Sequence, residues 1–185
     1  MADRPRWGRG LTVLALLGGT VGVALDGIHS HLGATAYSRP VFWGTAWWVP
    51  LLFAGAFTIG LARPALERVL GGPRPAPPLG NALLAFALFV GAYWLSVAPL
   101  DWRLVSVLLA GLFALGWWLC DRTVLGLAIA LAAAVGGPLV ESLLVSLGTF
   151  VHLHPVILGV SGWLPFLYLC AATALQSVAK VLVDG

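Results

Sequence analysis

The chain has 185 residues, 60% of them hydrophobic and only 9% charged, with a formal net charge of +3 and a mean hydropathy of +0.97. Soluble domains carry about 25% charged and about 45–50% apolar residues, so this composition excludes a separate water-soluble catalytic or DNA-binding domain and makes lipid the solvent for most of the chain. A spanning helix takes about 20 residues, which leaves room for six or seven spans with short loops; the small basic excess bears on membrane orientation, not on nucleic acid.

Six apolar stretches follow one another, and each is expected to be helical because a lone strand in lipid leaves its backbone unpaired. The first covers 11–28, behind the basic lead Arg4, Arg6 and Arg9. The second covers 43–62, and a polar, Pro-rich segment follows from Arg63 through Pro73, Arg74, Pro75, Pro77 and Pro78. The remaining spans are 81–98, 104–119, 124–147 and 162–182. The fold class is all-α: a polytopic membrane protein, residues 1–185 forming one six-helix transmembrane domain. With both termini cytoplasmic, Arg4, Arg6, Arg9, Arg63, Arg68, Arg74, Arg122 and Lys180 lie inside, and only Arg39 and Arg103 lie outside. The positive-inside rule selects that orientation. A basic lead before an apolar run also describes a signal peptide, with Ala34-Thr35-Ala36 as its small-residue triplet. The polar stretch holding Asp26, His29 and His31 between run and triplet favours a retained span.

Ionisable groups are so scarce that each can be weighed. Glu141 lies inside span five, shortly after Gly136-Gly137-Pro138. Proline there frees the Ala134 carbonyl and predicts a kink, and a carboxylate at membrane depth is a functional-site candidate. The plainer alternative is that Glu141 hydrogen-bonds a neighbouring helix. Asp26, Asp101, His29, His31, His152 and His154 all fall on the outer side and could be drawn as a zinc site, although two His-x-His pairs in loops prescribe no geometry. Headgroup-level solvation is the simpler reading, and no metal or other cofactor is expected. Cys120 and Cys170 have no ligand-type spacing and are read as small packing residues. No catalytic or nucleotide-binding motif is present. A transporter or channel would show inverted repeats with paired broken helices; the Gly-Gly-Pro break has no evident counterpart in the first half. A membrane-embedded metal-dependent enzyme is the third alternative.

Nine tryptophans are the other anomaly. Trp7, Trp43, Trp102 and Trp163 fall near span ends, where such rings belong. The pairs Trp47-Trp48 and Trp117-Trp118 each set two rings about 100° apart on one helix, so one ring of each pair faces a neighbour or a cavity. With Phe86, Phe89 and Tyr93 on span three, these rings suit a flat or acyl-chain ligand; packing between helices is the competing reading.

At these pairs the sequence resembles the Insig family of six-span sterol sensors of the endoplasmic reticulum. The resemblance rests on Ala46-Trp47-Trp48-Val49-Pro50, on Arg63-Pro64-Ala65-Leu66-Glu67-Arg68-Val69-Leu70-Gly71-Gly72-Pro73, on Trp117-Trp118-Leu119-Cys120-Asp121-Arg122-Thr123, and on Gly162-Trp163-Leu164-Pro165 with Lys180 beyond it. Each motif is weak alone; the ordered set, from Trp43 onward, is specific, whereas span one matches only in hydropathy. The resemblance implies a binding protein and not an enzyme: a helix bundle that holds a sterol in the membrane, retains the sterol-sensing protein Scap and assists degradation of HMG-CoA reductase. It implies a partner-binding role for Asp121 with Arg122, against the alternative that Asp121 caps span five. The Ala, Gly, Leu and Arg bias fits an actinobacterial-type homologue in a plasma membrane, and the longer polar tails of the animal proteins are missing. Scap-like or reductase partners are expected only where the host has them. In a membrane without sterols the occupant is expected to be a two-chain lipid of the diacylglycerol type. The expected lining is Trp47, Phe86, Phe89, Tyr93, Trp117 and Glu141, with Glu141 as the polar anchor. Small residues on the helix faces point to a homo-oligomer.

Overall fold

The computed structural model describes residues 5–72 and 74–185, so Arg4 of the basic lead and Pro73 of the Pro-rich segment lie outside the described residues. Six helices are long and apolar enough to cross a membrane: α1 (Trp7–His31), α2 (Val49–Leu70), α3 (Leu79–Ser96), α4 (Trp102–Cys120), α5 (Val124–Ser146) and α6 (Leu164–Asp184). Two short strands, β1 (Thr35–Tyr37) and β2 (Phe150–His152), pair antiparallel between α1 and α2 and between α5 and α6. The first and last described residues lie together at the opposite end, where the Arg6 N–H donates to the Val183 carbonyl at 2.9 Å. The two ends are called here the strand end and the termini end.

The second helix is displaced from its expected bounds. It begins at Val49, because residues 42–45 close a tight turn first, and it runs through Arg63 to Leu70 where a polar loop was expected. A single 3-10 turn, Ile59–Leu61, precedes a restarted helix from Ala62. That restart puts Pro64 in a first turn, where its missing N–H costs little. Arg63 joins the helix because its charge is paired inside the bundle. The fifth helix continues through Pro138 as one α-helix.

Helix α6 is the axis of the bundle. Its most apolar stretch is 72% buried, against 22–39% for the other five, and it packs on all of them. Small residues permit this, Ala174 and Ala179 being fully buried along it. Gly60 marks a close crossing of α2 on α6, since a β-carbon there would lie 2.5 Å from the Leu175 carbonyl oxygen. Around α6 the other helices form a ring: α4 packs on α3, α3 on the strand-end half of α1, α1 on α2, and the last turns of α2 on α5. The ring does not close. Helices α4 and α5, joined only by Asp121-Arg122-Thr123, form no packed pair.

The two halves of this ring repeat one plan at a constant sequence offset. Phe42 and Thr45 bridge around Trp43 (φ 47°) and Gly44 (φ 78°), as Ile157 and Val160 do around Leu158 (φ 50°) and Gly159 (φ 81°). Two central residues at positive φ are the mark of the type I′ turn. Trp48 and Pro50 open α2 as Trp163 and Pro165 open α6. Ala36 pairs with its own counterpart Val151 at the middle of the ladder, so a pseudo-twofold axis passes between the strands. Gly22 accepts the Phe53 ring, and Gly137 accepts the ring of the equivalent Tyr168. The irregular turn lies instead in the first half: α1 carries a π-helical turn over Gly18–Gly22, at the positions equivalent to 133–137 of the unbroken α5. Each α1-like helix runs from the termini end to the strand end, so the repeat is parallel and not inverted.

Candidate functional site

The repeat brings two acids, Asp26 and Glu141, into equivalent places at the strand end. Asp26 on α1 accepts a 2.8 Å hydrogen bond from the Tyr37 hydroxyl of β1. Its counterpart Glu141 on α5 lies 2.9 Å from Nε2 of His152, the residue equivalent to Tyr37. Glu141 also accepts a 2.7 Å bond from the Tyr168 hydroxyl of α6, and His152 Nδ1 lies 3.1 Å from Ser161 Oγ. Burial above all, and then the neighbouring Asp26 carboxylate, push the Tyr37 phenol up and keep it a donor. His29 stacks on Tyr93 with centroids 4.7 Å apart and reaches Ser96 Oγ at 2.8 Å. The four histidines thus divide: His29 and His152 are buried and paired, His31 bonds the Gly27 carbonyl, and His154 is exposed. Among the described residues no three His, Cys, Asp or Glu side chains are grouped to hold a metal ion. Cys120 and Cys170 are both free and buried.

A second polar centre occupies the termini end. Arg63 donates from Nε to Glu67 (2.5 Å) and from Nη1 to Asp121 (3.0 Å) and Gln176 (3.4 Å). Lys180, only 3% exposed, donates to Glu67 at 2.5 Å and pairs with Asp184 at 2.9 Å; Asp184 in turn pairs with Arg68. Asp121 accepts from the Thr123 hydroxyl at 2.7 Å, and Thr123 Oγ1 accepts from the Gly126 N–H at 3.0 Å. Thr123, and not Asp121, therefore caps α5. Three motifs far apart in sequence, around Arg63, Asp121 and Lys180, converge here on one buried ionic network. A cleft of about 360 Å³ opens beside it.

The six residues expected to line one cavity do not share one. Phe86, Phe89 and Tyr93 form an aromatic ladder (5.9 and 5.3 Å between centroids) that fills the bundle, joined by Phe57 at 6.1 Å from Phe89. The crevice beside Phe89, between α3, α4 and α6, measures only about 10 Å³, room for about one water. Trp47 is 68% exposed on the outer surface; the inward ring of that pair is Trp48, packed on Tyr37 at 5.7 Å. Trp117 sits at the termini end with Nε1 donating to the Thr123 carbonyl at 3.2 Å. Glu141 and Tyr93 both belong to the strand-end centre. The open joint between α4 and α5 instead exposes a half-buried apolar set: Phe113 of α4, Ala133 and Ala134 of α5, and Phe166 of α6, packed over Leu169 and Ala172.

No family model matches the sequence. The chain is 36% identical over 162 residues to an Insig homologue of Mycolicibacterium vanbaalenii, covering 84% of this chain and 76% of that protein. It is 27% identical over 181 residues to the bovine insulin-induced gene 1 protein, covering 94% of this chain but only 65% of the relative's length. The crystal structure of a mycobacterial Insig homologue from Mycobacterium vanbaalenii superposes with a TM-score of 0.83 at 27% identity, over 96% of this chain and 95% of that one. A cross-linked trimer of the same mycobacterial protein gives 0.84 at 28% identity, over 97% and 96%. A relative this similar over so much of both chains settles the membership: this multi-pass integral membrane protein belongs to the Insig family.

Proposed function

We propose that the protein is a lipid-binding regulatory membrane protein, not an enzyme, which seats a two-chain neutral lipid or a sterol against α6 at the joint between α4 and α5. The observation that carries the reading is the open ring. Five helices surround α6, and of the neighbouring pairs in that ring α4 and α5 alone do not pack on one another, leaving Phe113, Ala133, Ala134 and Phe166 half-buried at the gap. Apolar walls with a few placed polar groups are what a greasy ligand with a small polar head requires. Glu141, with about a fifth of its side chain exposed, and Tyr168 are the pair assigned to a hydroxylated head. Phe89 and Tyr93 of the aromatic ladder back that seat, and an acyl chain reaching them widens the crevice beside Phe89. Replacing Glu141 by Ala is expected to weaken retention of co-purified lipid, read by native mass spectrometry, while the melting profile stays cooperative. Unchanged retention removes Glu141 from the assignment.

The same reading puts both termini in the cytoplasm. Among the described residues Arg6, Arg9, Arg63, Arg68, Arg74, Arg122 and Lys180 lie at the termini end, and only Arg39 and Arg103 at the strand end. A homo-oligomer is proposed as well, supported by the trimer of the mycobacterial relative. Partner contacts of Asp121 and Arg122 with Scap-like or reductase proteins are confined to hosts that have them. Asp121 faces inward here, held by Arg63 and Thr123, so its route to a partner is through the shape of the α4–α5 turn.

A further inference from the structure

The ionic network at the termini end leaves cationic groups over, and they face one cleft. Its wall includes Arg63, Arg74, Asp121, Arg122, Ser177 and Lys180, so four cations and a single acid meet there. That acid is already engaged by Arg63 and Thr123. The acids behind it, Glu67 and Asp184, are taken up by Arg63, Lys180 and Arg68. The guanidinium groups of Arg74 and Arg122 have no carboxylate partner among the described residues. Both nevertheless line the cleft with their backbones fixed. The Arg74 N–H donates to Glu67 (3.2 Å) and its carbonyl accepts from Lys180 (2.6 Å). Arg122 occupies the left-handed position just past the end of α4 (φ 55°), its N–H on the Trp117 carbonyl at 2.9 Å and its guanidinium 4.5 Å over the Trp118 ring. Glycine is the usual occupant of that position, so an arginine there is held at a conformational cost. Trp118 and Leu119 are exposed apolar residues beside the cleft, which places it at the depth where headgroups sit.

We propose that this cleft is a binding site for a phosphate-bearing anion, gripped by Arg74 and Arg122, with Arg63 and Lys180 lining the same cleft. Paired guanidinium forks match phosphate oxygens in geometry as well as charge. The site is separate from the lipid seat at the α4–α5 joint and does not depend on it. A membrane phospholipid headgroup and a free phosphate offer the same chemistry, and the test distinguishes them. The full chain is reconstituted in phosphatidylcholine nanodiscs with and without phosphatidylglycerol, and bound lipid is read by native mass spectrometry. Wild type is expected to retain one phosphatidylglycerol in preference to phosphatidylcholine. Arg74→Gln with Arg122→Gln is expected to lower that preference about tenfold, the loss of one to two charge-assisted bonds. Arg74→Gln alone lowers it in part, and Arg9→Gln, an exposed cation at the same end but outside the cleft, leaves it intact. Inorganic phosphate that displaces the lipid assigns the site to a free anion; a lipid signal that survives phosphate assigns it to the headgroup. Equal preference in wild type and the double variant overturns the proposal. So does a loss in Arg9→Gln as large as theirs, since the attraction is then diffuse.

Discussion

Replacing Arg63 by Met tests whether the termini-end network is one unit. Methionine keeps the length and apolar stem of the side chain and removes only the charged fork. Asp121 then keeps the Thr123 hydroxyl, and Glu67 keeps Lys180 and the Arg74 N–H. Removing one member of a buried pair costs about 3–5 kcal/mol, because a desolvated charge is left behind. Glu67 retains a cation and the network borders a cleft, so the low end, about 3 kcal/mol, is expected. Asp121→Asn alone should cost less, since an amide oxygen still accepts from Thr123. The double variant should recover part of the loss, with a coupling of about 1–3 kcal/mol in the cycle. Unfolding of each variant in detergent, followed by tryptophan fluorescence against denaturant, supplies the four numbers. An Arg63→Met variant within about 1 kcal/mol of wild type, or a cycle that closes additively, refutes the reasoning.

Gly60→Ala should destabilise the bundle by about 1–3 kcal/mol, because the added methyl meets the Leu175 carbonyl and not a side chain that can move aside; the same denaturation assay checks it. Trp47→Ala should be nearly neutral, within about 0.5 kcal/mol, as expected for a surface position. Trp48→Ala should cost about 3 kcal/mol, since Trp48 packs on Tyr37 and against Val23 and Val49. Equal effects of the two substitutions contradict the inward and outward assignment of the pair.

The spans were legible because charge is so sparse in this chain that lipid-facing runs stand out by composition alone. The expected end of span two failed for a reason composition cannot see. Arg63 reads as a loop residue until Asp121 and Lys180 are brought to it, and Lys180 meets Glu67 at a sequence separation of 113. The motif residues themselves were legible, because Arg63, Glu67, Asp121 and Lys180 all fall within the segments that carried the family resemblance. The internal repeat was also written in the sequence, in Trp48-x-Pro50 against Trp163-x-Pro165, Gly22 against Gly137 and Asp26 against Glu141. It is hard to find because substitutions such as Phe53 against Tyr168 keep the packing and lose the identity. The lining of a ligand site was the least legible part. A Trp-Trp pair says that its rings diverge, but only the neighbours decide which one turns inward, and here Tyr37 selects Trp48.

The lipid seat at the α4–α5 joint is tested most directly by the mass of what leaves the membrane with the protein. Full-length protein extracted in mild detergent and examined by native mass spectrometry should carry one neutral two-chain lipid or sterol per chain, and a bulky substitution at the joint, Ala134→Trp, should expel it. A chain that emerges without stoichiometric lipid, or one whose lipid is indifferent to Ala134→Trp, contradicts the account.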